Sequence, residues 1–168
     1  RAYPNRAAFR SEVDGVYLGY KWQCVEFARR WLYVNRGYVF DDVAMAYEIF
    51  RLDSVRRTDT GERLPLRAFR NGSRRRPERG CLLVWDEGGT FERTGHVAVV
   101  VAVSDHWVRI AEQNFDHRPW PAGADWAREI PARVSDDGGF WLRCGFGEAG
   151  ILGWVIQTGD DRFAETFL

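Results

Sequence analysis

From Cys24 onward the apolar positions fall at Cys24, Phe27, Ala28, Trp31 and Leu32. This i, i+3, i+4, i+7, i+8 stripe predicts an amphipathic helix with one buried face, and Gly37 is its expected stop. A second, shorter helix is predicted over Asp42 to Phe50. Asp41 or Asp42 is its expected cap, with Val43, Ala46, Tyr47 and Phe50 on one face. Residues 1–20, with Pro4 and Gly15, read as irregular, 1–14 being a lead-in to a single domain; 159–168 read as a tail. Residues 51–80, polar and rich in Arg and Pro, read as loop with at most brief structure.

After residue 80 the periodicity changes. CLLVW, HVAVVVAV, WVRIAEQN and ILGWVIQ are short apolar or alternating runs separated by turn signals, which is how strands read. Helices first and strands afterwards predict an α+β domain whose antiparallel sheet packs on the early helix.

Two of these runs flank Ser104-Asp105-His106, which reads as a three-residue hairpin loop. Val103 would then pair with Trp107, setting His96 opposite Asn114 and Ala98 opposite Glu112. Strand side chains alternate with period 2, so His96, Glu112 and Asn114 are expected on one face of the hairpin. A two-residue loop would reverse that parity unless a bulge restored it.

Composition narrows the function classes. The 168 residues suit one domain, large enough to remove roughly 68–70% of its unfolded surface from water. Twenty-four basic residues balance 24 acidic ones, so no global charge draws the chain to nucleic acid or to an anionic membrane. The run Arg74-Arg75-Arg76 reads as solvated loop charge. The longest apolar run, Val97 to Val103, is far too short to span a bilayer. Cys24, Cys81 and Cys144 are widely spaced with no CxxC, which signals neither a disulfide framework nor a zinc site. A reducing compartment, the cytoplasm, is expected, and no metal or other cofactor is implied.

The remaining chemistry concentrates on few residues. Of three histidines, His106 sits in a turn and His117 in the HRPWP loop, whereas His96 opens a wholly apolar strand where a polar ring needs a reason. A carboxylate and a carboxamide on the same face, Glu112 and Asn114, would accept an imidazole N–H and fix its angle. Cys24, in the first turn of a helix, feels the positive end of the dipole, which favours thiolate. His96 would act as its base, and backbone N–H groups at the helix start, helped by Gln23, would hold a tetrahedral oxyanion. Cys81 and Cys144 read as structural.

These residues also carry a family resemblance. GYKWQCVEFARRWL, TGHVAVV and RIAEQN, in that order and spacing, resemble the amidase domains of glutathionylspermidine synthetase/amidases. More distantly they resemble the amidase domain of trypanothione synthetase. Both belong to the CHAP class of cysteine- and histidine-dependent amidohydrolases/peptidases, related to the NlpC/P60 type. The likeness extends through AYEIF, PLRAFRNGS, GCLLVWDEGG and ILGWVIQT, roughly residues 15 to 158. It implies a papain-like α+β fold with an N-terminal catalytic helix. It also implies Cys24 as nucleophile, His96 as base, Glu112 and Asn114 (an ExN pattern) as orienting groups, and Gln23 with Cys24 at the oxyanion hole.

The implied substrate is a glutathione–polyamine conjugate, hydrolysed to glutathione and spermidine through a thioester. The alternative within the class is a peptidoglycan amidase or endopeptidase. Bifunctional members continue into an ATP-grasp synthetase domain, the implied partner in a longer protein, so ATP-dependent synthesis is not expected from these residues. One departure is Cys81, which follows Pro77-Glu-Arg-Gly80 where many CHAP domains carry Asp. It removes an acidic side chain and touches none of the assigned groups.

Overall fold

The computed structural model describes residues 10–20, 23–112, 123–143 and 150–160. The Cys24 stripe forms α1 (Cys24–Arg36). Gln23 is its extended N-cap, and Phe27 N–H donates to the Gln23 carbonyl at 2.9 Å. Gly37 closes the helix at φ 75°, donating to the carbonyls of Leu32 and Tyr33, a left-handed cap that glycine adopts without a Cβ penalty. Ala28 and Leu32 are buried, and Cys24, Phe27 and Trp31 pack partly buried beside them. Burying a side chain such as Leu32 contributes about 1.5–3 kcal/mol, which exceeds what helix propensity alone supplies over one turn.

The expected irregular lead-in needs correction. Residues 10–20 form an antiparallel hairpin, β1 (Arg10–Val13) and β2 (Val16–Tyr20), turning through Asp14 and Gly15 at positive φ. Ser11 Oγ donates to the buried Glu26 carboxylate at 2.7 Å, and Arg30 Nε donates to the same oxygen at 3.1 Å, so the hairpin is tied to the first turns of α1.

The second helix is also different from expectation. It is a 3-10 helix over Ala46–Arg51, and neither Asp41 nor Asp42 caps it. Glu48 reaches back to accept from the N–H groups of Ala44 and Met45 at 3.0 and 3.1 Å, satisfying donors an Asp cap would otherwise take. Asp41 instead receives Arg63 at 3.0 Å.

Strands continue through β3 (Tyr38–Phe40), β4 (Ser54–Arg57), β5 (Arg63–Arg70), β6 (Leu82–Trp85), β7 (His96–Val103) and β8 (Trp107–Ala111). They finish with β9 (Arg128–Val134), β10 (Phe140–Leu142) and β11 (Ile151–Gln157). Two of these overturn the reading of residues 51–80 as loop. In β5, Leu64 and Leu66 are buried while Arg63, Pro65 and Arg67 are exposed, so alternation was present but outweighed by arginine in the composition. β9 and β10 were likewise unanticipated: β9 carries Arg, Glu and Pro between its few apolar positions, and β10 is only three residues long.

One sheet runs in the order β10-β9-β8-β7-β6-β11-β5-β4-β3, with antiparallel pairing throughout. On one face Val97, Val99, Leu82, Val84 and Val155 pack with Ala28 and Leu32 of α1 and with Ile49. On the other, Ala98, Val100, Leu83, Ile110, Phe140 and Trp154 form a second core. Five strand spacings separate β10 from β11, about 24 Å in a flat sheet. Yet the Phe140 and Trp154 rings meet edge to face at 6.0 Å, so the sheet curls on itself. Bonds from Gly72 N–H to the Phe140 carbonyl (2.7 Å) and from Phe140 N–H to the Ser73 carbonyl (2.9 Å) join the chain after β5 to β10. With a core on either face, β7 is apolar at every position from Val97 to Val103. No helix among the described residues is long and apolar enough to cross a membrane.

Gly95 delivers the chain into β7 at φ 66°, and a Cβ there would stand 2.5 Å from the Trp85 carbonyl oxygen. Gly95→Ala is expected to lower unfolding free energy by at least about 1 kcal/mol, seen as a lower urea midpoint at unchanged slope.

Candidate active site

α1 lies across the start of β7, which sets its first residue beside the first residues of that strand. The Cys24 thiol interacts electrostatically with the His96 side chain, and the backbone N–H groups of Val25 and Val97 also act on the sulfur. Val25 N–H is among the first-turn donors that helix geometry leaves without an intrahelical acceptor. Cys24 is partly buried and keeps an open side, whereas Cys81 is buried in the core at 3% exposure.

His96 is 2% exposed. Its Nε2 lies 2.7 Å from Glu112 Oε2, which leaves Nδ1 as the ring nitrogen for the sulfur. Phe91 stacks on the imidazole at 4.6 Å with 9° between planes, and Trp85, paired with His96 across the ladder, packs at 5.2 Å. Polar contacts at both nitrogens and aromatic rings about the ring plane fix the imidazole's orientation.

The shared face of His96 and Glu112 arises from a register other than the expected pairing of Val103 with Trp107. The connection between the strands is Ser104 to His106, as expected, but Val103 pairs with Val108 rather than with Trp107, one residue out of the expected register. Val101 then bulges from β7, and Val100 pairs with Ile110 and Val99 with Ala111, restoring the register that puts Ala98 opposite Glu112. Glu112 follows the last residue of β8 directly. Asn114 lies outside the described residues, as do His117 and Cys144. Gln23 is exposed, and its side chain makes no capping bond to the helix.

Burial alone would raise the Cys24 pKa and lower that of His96. The interaction between them, Glu112 on the imidazole and the N–H groups on the sulfur outweigh burial, so Cys24 falls below a free thiol and His96 rises above a free imidazole. For Glu112, too, burial pulls upward while His96 and Arg128 pull downward more strongly, and the carboxylate stays ionised. The three shifts favour a thiolate–imidazolium pair backed by a carboxylate. Such a pair is populated only above the lowered thiol pKa and below the raised imidazole pKa, which gives a bell-shaped pH dependence.

Residues 15–114 match the CHAP domain. This chain belongs to the CHAP domain family. It is 50% identical over 162 residues to the bifunctional glutathionylspermidine synthetase/amidase of Escherichia coli (strain K12), covering 96% of this chain and 26% of that protein. Trypanothione synthetase of Crithidia fasciculata is 42% identical over 113 residues, 67% of this chain and 17% of that protein. Glutathionylspermidine synthase of the same organism is 33% identical over 141 residues, 82% of this chain and 19% of that protein. The CHAP chain thus spans about a quarter of the length of its bacterial relative.

Three groups around the CHAP site escaped sequence reasoning. Arg128 holds Glu112 with a two-nitrogen fork, Nε to Oε1 and Nη2 to Oε2. Its partner in the ladder is Ile110, so it is a diagonal neighbour of Glu112, a relation visible only once β9 is recognised. Trp85 and Phe91 read simply as apolar residues, and nothing in their local pattern distinguishes contact with an imidazole from ordinary core.

Iodoacetamide is expected to label Cys24 well before Cys81, with a half-rate pH below the about 8.5 of a free cysteine. His96→Ala should return that half-rate pH toward the free value, as followed by peptide mass spectrometry across a pH series.

Proposed function

We propose that this domain is a thiol amidase that hydrolyses the amide bond of glutathione–polyamine conjugates such as glutathionylspermidine. The observation that supports the reading is the row Cys24–His96–Glu112, in which a partly buried thiol interacts with an imidazole whose other side is hydrogen-bonded to an ionised carboxylate. The substrate class is supported by 50% identity over 162 residues to a protein named for glutathionylspermidine synthesis and amide cleavage.

In this reading the Cys24 thiolate attacks the glycyl carbonyl carbon, and the C=O electrons move onto oxygen. Backbone N–H groups at the start of α1, with Gln23 as helper, hold the oxyanion. The His96 imidazolium gives its Nδ1 proton to the leaving amine as the C–N bond breaks, leaving a thioester on Cys24 and a neutral ring. Water then attacks the thioester, giving one proton to His96 and its hydroxyl to the acyl carbon. Glutathione departs, and the thiolate–imidazolium pair is restored. Glu112 stays ionised throughout and stabilises the imidazolium. Asn114, two residues on, is assigned as its companion by the ExN pattern. The arrangement is the papain logic of thiol, imidazole and orienting group, and it needs no metal or organic cofactor.

A cytoplasmic setting fits a free thiol nucleophile, and an ATP-grasp synthetase domain is the proposed partner in a longer protein. Incubation with glutathionylspermidine should release free spermidine. Cys24→Ala should abolish this with the fold intact, by circular dichroism, whereas Cys81→Ala should retain it. Absence of turnover by protein with reduced Cys24, together with clearing of purified cell walls, would move the substrate assignment to peptidoglycan.

A further inference from the structure

We propose that Arg128 is a positioning residue of this site, acting on the imidazole through Glu112; the inference rests on the thiol-amidase reading above. Glu112 is 6% exposed, and its carboxylate carries three contacts at once. Oε2 meets His96 Nε2 and Arg128 Nη2, while Oε1 accepts from Arg128 Nε. A carboxylate bonded only to His96 would turn about its terminal torsion, which is broad and roughly two-fold in Glu. The guanidinium removes that freedom, because two parallel N–H donors on a rigid plane match two carboxylate oxygens.

The backbone supports the fork. Arg128 opens β9 and pairs with Ile110, and the side chains of Ile110 and Glu112 share a face of β8 and its continuation. The head group of Arg128 is therefore delivered diagonally, from a neighbouring strand, onto a carboxylate that stands just past the end of β8. Three elements, β7, β8 and β9, converge on one oxygen. Among the described residues, the charged and titratable groups that reach Glu112 are His96 from β7 and Arg128 from β9, with Cys24 of α1 acting on the far side of His96.

Without the fork, Glu112 is a buried carboxylate with one partner that is itself only conditionally charged. Burial then favours its neutral form at higher pH. A protonated Glu112 no longer stabilises the imidazolium, which in turn stops stabilising the thiolate. The loss thus travels from β9 to the sulfur without Arg128 touching either the sulfur or the ring.

The test compares Arg128→Gln, Arg128→Lys, Glu112→Gln and the double variant Arg128→Gln/Glu112→Gln in the full chain. Two readouts are used: spermidine release from glutathionylspermidine, and iodoacetamide alkylation of Cys24 against pH. Arg128→Gln is expected to lower kcat about tenfold to a hundredfold with little change in KM, and to move the acid limb of alkylation to higher pH. The double variant should be no slower than Glu112→Gln alone, because Arg128 acts only through that carboxylate. Arg128→Lys keeps the charge but not the fork, and keeps the experiment informative if Arg128→Gln fails to fold. It should shift the alkylation limb in the same direction by a smaller amount.

Wild-type kcat and an unmoved alkylation limb in the folded variants overturn the proposal, as does an additive loss in the double variant. Alkylation needs no substrate, so the two levels separate. An ordinary, unshifted thiol in the wild type defeats the thiol-amidase reading, whereas a shifted wild-type thiol unaffected by Arg128→Lys or Arg128→Gln defeats only the role of Arg128.

Discussion

The contact between the first residue of α1 and the first residue of β7 ties this molecule together. Seventy-two positions of sequence separate Cys24 from His96, and what joins them is packing beneath them: Ala28 and Leu32 against Val97 and Val99. An apolar layer of that kind has no direction of its own. Direction comes from the polar groups at its edge, where the thiol, the imidazole and the backbone N–H groups of Val25 and Val97 meet. A helix displaced by one turn along β7 would lose all of these polar contacts. The core therefore supplies stability, while the edge contacts select one placement of the helix.

From this contact the charged groups extend inward in a row, Cys24, His96, Glu112 and Arg128. His96 and Glu112 are more buried than isolated ionisable side chains tolerate, and each is made tolerable by its neighbours in the row. Signs alternate along the row in the thiolate–imidazolium form, so the ionised state is the one in which every member has an opposite charge beside it. Phe91 and Trp85 pack against the imidazole and keep water from competing for it. The bulge at Val101 belongs to the same design, since without it the register would turn Glu112 to the opposite face of the sheet.

The row's members were unequally legible in the chain. Cys24 announced itself because a thiol opened an apolar helical stripe, and His96 because a polar ring opened an otherwise apolar strand. Their meeting was inferred from chemistry and resemblance, since nothing local encodes a contact across 72 positions. Glu112 was found by hairpin parity, although Val103 pairs one residue beyond Trp107 and a bulge supplies the compensation. Arg128 was missed because β9, with Pro131 inside it and arginines along it, lacks the apolar signature of a buried strand. β5 was missed for a related reason: Leu64 and Leu66 alternate with long cationic side chains that dominate composition. In each case the hidden element lies toward a sheet edge, where one face is wet and the apolar signal is halved.

The central claim is that the Cys24 sulfur is ionised at a pH where a free thiol is not, because an imidazolium faces it. Thiolate absorbance near 240 nm, recorded against pH with Cys24→Ser as the blank, measures this without substrate or reagent. The expected result is Cys24-dependent absorbance that persists below the about 8.5 at which a free cysteine ionises and that moves back toward that value in His96→Ala. A signal appearing only around pH 8.5, unchanged by His96→Ala, would contradict it.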